Sequence, residues 1–202
     1  MRKLVGLVVL ALFLPTFASA NLLSNGGFET GSLSGWDTWN EGNTQIYDWG
    51  HNGSSYAVGG WWAFSGWQHI DGINPDATYT VGGYLYDDVA SGETMRNGVY
   101  ASLEAQFKRS DDSIVGTWSS GNITGADMVD DAWNEFIAQV KPSDYGTGIT
   151  RITFKWEMNN TGAGDGRGVF DDLTVEAVPE PSSIVLLGIG LAGIISFYAK
   201  RR

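Results

Sequence analysis

Two carboxylates near opposite ends of the chain are the first residues whose type and position imply chemistry. The run from Gly168 to Glu176, GVFDDLTVE, reads as a strand in which Val169, Asp171, Leu173 and Val175 share one face, with Phe170, Asp172 and Thr174 on the other. That register aims Asp171 at the apolar interior. An ionised carboxylate there must be paired, hydrogen-bonded or bound to a metal. Glu29, near the other end of the chain, is the best candidate to share its surroundings.

A second constellation is aromatic. Opposite the apolar positions of two further strand-like runs lie Tyr84, Tyr86 and Tyr100, together with Glu104 and Gln106. Rings beside hydrogen-bonding groups suit a sugar, whose C–H faces stack on aromatic planes and whose hydroxyls need donors and acceptors. Tyrosine is also favoured on strand surfaces for its β-propensity alone, so both readings stand at this point. The acidic pairs Asp87/Asp88, Asp111/Asp112 and Asp130/Asp131 do not read as acid/base machinery, because neighbours on a strand face opposite ways and paired acids in turns are solvated. The chain is read as non-enzymatic.

Composition narrows the chemistry further. With no cysteine, disulfides, thiolate metal sites and a cysteine nucleophile are excluded. His51 and His69 are the only histidines, so a three-histidine metal centre is excluded too. Setting aside the two ends, residues 21–178 carry 22 acidic and 7 basic side chains, a net of −15, which argues against nucleic acid as a partner.

The elements that must position these residues are strands. Tyr79, Val81 and Leu85 alternate against Tyr84 and Tyr86; Val99, Ala101, Leu103, Ala105 and Phe107 alternate against Tyr100, Ser102, Glu104, Gln106 and Lys108; Ile152, Phe154, Trp156 and Met158 alternate against Arg151, Thr153, Lys155 and Glu157. Asn74 to Asp76, the tip Ser110 to Ser113 and the glycine-rich stretch Thr161 to Gly168 punctuate them. The spacing predicts an all-β sandwich over residues 21–177. Residues 119–132 fit no strand and are expected to form a surface insertion. Trp36, Trp133 and Trp156 are expected in the core.

The ends are address labels. Residues 1–20 have a basic start, an apolar run from Leu4 to Leu14 and the small residues Ala18 to Ala20, the pattern of a signal peptide. After Val178 the composition changes to PEPSS, an apolar run and a basic end. Residues 182–199 would span about 27 Å as a helix, enough for a thin bilayer core, with the basic end staying cytoplasmic and the sandwich outside.

NLLSNGGFETGSLSGW (21–36), SYAV (55–58), ATYTVGGYLY (77–86), WNEFIAQV (133–140), ITRITFKW (149–156) and FDDLTVE (170–176) together resemble the CenC-type, family 4/9 carbohydrate-binding modules with a galactose-binding-like jelly roll. That resemblance implies a structural calcium held by Glu29 and Asp171 with a backbone carbonyl near Gly27 or Asp171, and a saccharide cleft on one concave sheet to which loop tryptophans, here Trp61 and Trp62, contribute. Residues 178–202, with the triplet Pro179, Glu180 and Pro181, resemble the PEP-CTERM sorting signal, which implies an exosortase as processing partner and a transient membrane anchor. The expectation is an exported surface or extracellular protein that binds polysaccharide or exopolysaccharide. The alternative is a structural or adhesive matrix protein of the same fold with no sugar site.

Overall fold

Among the described residues ten strands form because the alternating runs leave one apolar face each, and two such faces bury each other. The computed structural model describes residues 20–95, 98–160 and 166–179. The expected signal peptide (1–20, save Ala20), the triplet beyond Pro179 and the expected membrane span 182–199 lie outside the described residues. Among the described residues no helix is long and apolar enough to cross a membrane. Residues 20–178 form one compact unit.

The strands are β1 (Asp37–Trp39), β2 (Thr44–Tyr47), β3 (Ala57–Trp61), β4 (Phe64–Asp71), β5 (Tyr79–Asp87), β6 (Val99–Lys108), β7 (Ile114–Ser119), β8 (Trp133–Val140), β9 (Arg151–Asn160) and β10 (Arg167–Ala177). They make two five-stranded antiparallel sheets: a front sheet in the order β1-β4-β9-β6-β7 and a back sheet in the order β2-β3-β10-β5-β8. The inward positions expected for β5, β6 and β9 are all buried. The centre of the core is an aromatic nest: the Trp156 ring lies 6.0 Å from Phe28, 5.9 Å from Trp36, 5.6 Å from Phe64 and 5.3 Å from Phe170. Gly66 on the neighbouring strand makes room for it, since a Cβ there would lie 2.4 Å from the indole.

Three expectations need correction. The alternation read through β10 breaks at a bulge, where Asp171 pairs with Tyr84 but Thr174 pairs with Gly82, and Asp172 adopts a left-handed φ of 45°. The extra residue reverses which side faces in. Phe170, Leu173 and Val175 point into the main core, while Val169 joins Tyr47 and Ala57 on the outer side of the back sheet. Asp171 therefore lies beside Tyr84 on that outer side, not in the interior. Beyond the bulge the N-terminal segment takes over as the neighbour of β10: Asn21 donates to the Leu173 carbonyl at 2.7 Å and accepts from the Val175 amide at 3.1 Å, and the Leu22 amide donates to Val175 at 2.8 Å.

Secondly, residues 119–132 are no mere insertion: Ile123 bridges to Ala101 and is 2% exposed, and a short 3-10 turn, Gly125–Asp127, is closed by a Thr124/Asp127 capping box. Thirdly, Trp36 and Trp156 are core residues as expected, but Trp133 is not. Its strand face, Trp133, Glu135, Ile137 and Gln139, points outward.

Candidate functional site

The bulge in β10 places Asp171 under the loop that joins β2 to β3. Burial is complete, and it pushes the carboxyl up to about 6 despite amide hydrogen bonds from His51 and Asp172, each 2.7 Å long. Gly50 is what lets the loop come so close, because a Cβ there would lie 2.4 Å from Asp171 Oδ2. Glu29 approaches the same loop from the other side. It accepts the Ser54 hydroxyl at 2.5 Å and the amides of Ser55 and Tyr56 at 3.1 and 3.2 Å, and the Ser54 bond is the main reason its carboxyl titrates below the usual range. Gly27 lies between these acids. From its Cβ direction Asp172 Oδ1 is at 3.1 Å, Glu29 Cγ at 3.8 Å and Asp171 Oδ1 at 3.9 Å. The sequence-predicted trio Glu29, Gly27 and Asp171 is thus brought together, joined by Asp172. Among the described residues no group of three or more acidic, histidine or cysteine side chains is spaced to hold a metal by itself.

The predicted saccharide residues do not share one surface. Tyr84 and Tyr86 stand on the outer side of the back sheet, whereas Tyr100, Glu104 and Gln106 stand on the outer side of the front sheet. Alternation told which way each strand faced, but not to which of two sheets it belonged.

On the back sheet the tyrosines are already engaged. The His51 ring stacks on Tyr84 at 3.7 Å, and its Nδ1 lies 2.8 Å from Asp172 Oδ2. The Tyr84 hydroxyl donates to Glu135 at 2.8 Å, which raises its pKa. Tyr86 packs with Trp49 at 5.2 Å and Trp133 at 5.4 Å. These rings form a small outer core that seats the β2–β3 loop. Sequence reasoning missed Trp49 and His51, which lie in a loop with no periodicity. Trp133, expected in the core, shares its strand face with polar Glu135 and Gln139, and that pattern is the signal that it points outward.

The front sheet is different. Across it run Trp39, Ser65, Glu157 and Ser102 in one row and Asp37, Trp67, Lys155 and Glu104 in the next, with Tyr100 beside Asn159 above them and His69, Thr153 and Gln106 below. Trp39 is 53% exposed. Ser65, Ser102 and Thr153 are small residues shielded by their longer neighbours, so they floor the surface. Its polar groups are held in place: Ser102 donates to Glu157 at 3.0 Å, Gln106 to Glu104 at 3.3 Å, His69 pairs with Thr153 at 2.9 Å, and Lys155 pairs with Glu157. Trp39 and Trp67 escaped the sequence reading because their strands are short or interrupted by Ser-Gly and carry little alternation.

Trp61 and Trp62 lie at the turn between β3 and β4, at one end of the sandwich, and line a cleft with Gly92, Glu93 and Asn160. At the opposite end of β10, Val178 still donates to the Thr78 carbonyl at 2.8 Å and Pro179 is exposed; Glu180 and Pro181 lie outside the described residues.

Residues 177–202 match the family model described as the PEP-CTERM protein-sorting motif. The chain carries a PEP-CTERM sorting signal. No curated protein sequence matches it. Among solved structures, TmCBM61 in complex with beta-1,4-galactotriose is 22% identical, with a TM-score of 0.52 over 79% of this chain and 100% of that one. The enzymatically active domain of tailspike protein 4 from bacteriophage CBA120 is 13% identical, with a TM-score of 0.56 over 78% of this chain, which spans 21% of the tailspike chain. A Stig cyclase, Fisc, from Fischerella sp. TAU is 11% identical, with a TM-score of 0.55 over 80% of this chain and 99% of that one. At these identities the likenesses establish the fold, a jelly-roll sandwich, and nothing finer.

Proposed function

We propose that this PEP-CTERM protein is an exported, non-catalytic, saccharide-binding module of the cell envelope or its surroundings, and that its sugar site is the outer face of the front sheet. One observation carries this: Trp39 and Trp67 flank a floor of small polar residues, with Glu104, Gln106, Lys155 and Glu157 held ready as hydrogen-bonding groups. An open surface of this kind suits a stretch of polysaccharide laid across the strands. Of the residues predicted from sequence, Tyr100, Glu104 and Gln106 belong to it. Tyr84 and Tyr86 do not, because their rings are spent on His51, Trp49 and Trp133. The neighbour crystallised with galactotriose supports a glycan as the ligand class.

The test is a glycan array with residues 20–178, comparing the native domain with Trp67→Ala. The native domain should bind a defined polysaccharide class, and the variant should bind about tenfold more weakly with an unchanged melting curve. A native domain silent on every glycan would leave a matrix protein without a sugar site.

The acids around Gly27 support a structural cation as the second part of the proposal. Glu29 and Asp171 would each supply a carboxylate oxygen and the Gly27 carbonyl a third, the hard-oxygen set that calcium takes, with the ion tying the N-terminal segment to β10 and the β2–β3 loop. For the tail, the proposal is processing by an exosortase near Pro179, Glu180 and Pro181 after transient anchoring in the membrane. Deleting residues 179–202 should send the unprocessed domain into the medium; identical mass and location with and without the tail would contradict this.

A further inference from the structure

We propose that the cleft beneath Trp61 and Trp62 is a second carbohydrate subsite, separate from the front-sheet face, so that one domain can hold two stretches of glycan. This rests on the saccharide-binding reading above. The cleft has a volume of about 310 Å³, at the small end of the range for ligand sites, which fits a short sugar unit and not a long chain.

Its walls are pre-set. Trp61 lies opposite Arg167 on the outer side of the back sheet, and the Arg167 guanidinium sits 5.4 Å from the Trp61 ring and 5.0 Å from the Tyr47 ring. The same guanidinium is paired with Asp88 and, at 2.8 Å, with Glu93. The two carboxylates more than neutralise it, so the wall keeps one net negative charge, which disfavours an anionic sugar, and is edged by indole surface and the polar side chains of Glu93 and Asn160. That combination recognises an uncharged polyol with an apolar ring face, which is a hexopyranose.

Trp62 supplies the decisive point. It is 56% exposed and holds a left-handed φ of 73°, a conformation that glycine adopts freely and a bulky residue only at a cost of order 1 kcal/mol. The fold gains little from so exposed a ring in so unfavourable a backbone position. Strain that packing does not repay marks a side chain kept for contact with something else. Trp39 and Trp67 stand on the outer side of the front sheet, whereas Trp61 faces outward from the back sheet and Trp62 lies in the turn between the two, so the cleft is distinct from the front-face floor.

The experiment compares residues 20–178 in native form, as Trp62→Gly and as Trp67→Ala, on an array of neutral oligosaccharides, with melting curves alongside. Trp62→Gly should melt at or above the native temperature, because glycine relieves the left-handed φ, and yet lose about tenfold in affinity for a set of short glycans that Trp67→Ala still binds. Unchanged binding by Trp62→Gly, with loss in Trp67→Ala, overturns the second subsite and leaves the front face standing. Equal losses of the same glycans in both variants also overturn it, since that describes one continuous site. A melting temperature several degrees lower for Trp62→Gly overturns it by showing that the ring is structural. A native domain that binds nothing overturns both readings together.

Discussion

Trp156→Ala should destabilise the domain by about 3–5 kcal/mol, the range for removing a large buried aromatic side chain from a packed core. The indole is fully buried and touches four other rings drawn from both sheets and the N-terminal segment, so its loss opens a cavity that no single neighbour can fill. In a domain of this size the melting temperature should fall by roughly 10 °C. Trp156→Phe should be much milder: it keeps most of the ring contact and removes an indole N–H that finds no hydrogen-bond partner among the described residues. Equal effects of the two changes would mean that the nest is less tightly filled than its ring distances imply.

Calcium should raise the melting temperature of residues 20–178 at neutral pH, by about 5–10 °C at a ~100-fold excess over its dissociation constant, and a chelator should reverse the gain. The gain should vanish in Asp171→Asn. Calcium-free protein gives the complementary signature. Burial raises the Asp171 carboxyl to about 6 in the fold against 3.8 in the open chain, so the fold favours its protonated form. That contribution is whole below about 4, is lost as pH climbs through 6, and is absent above. Calcium-free protein should accordingly lose stability between those values, and Asp171→Asn should flatten the slope. A melting temperature indifferent to both calcium and chelator, in protein shown to be metal-free at the start, would mean that Glu29 and Asp171 serve only the amides they already bind.

Much of the architecture was legible in the sequence. Runs such as 99–107 and 152–158 fixed both the strand and its buried face, because a side-chain period of two is a local property. The C-terminal sorting signal was legible for the same reason: PEPSS followed by an apolar run and three basic residues is a linear pattern. Asp171 could be named because a carboxylate amid apolar residues is conspicuous anywhere along a chain, whereas Glu29, between Phe28 and Thr30, was named from the resemblance to carbohydrate-binding modules.

What the sequence left open was decided by events that are not local. A single extra residue in β10 moved Asp171 from the interior to the outer side of the back sheet, and a bulge is set by the partner strand and by Asn21, which arrives from the far end of the chain. Tyr84 and Tyr100 look alike in the sequence, each facing away from an apolar row. Only pairing tells that one stands beside β10 and is covered by His51, while the other stands beside β9 on an open surface. Trp39 and Trp67 gained their meaning only when antiparallel register set short or broken segments side by side, and Trp62, named from the resemblance, took its left-handed backbone only from the turn between β3 and β4. Periodicity determines which way a side chain points from its own strand; which sheet that strand joins, and what then covers it, is settled by long-range packing.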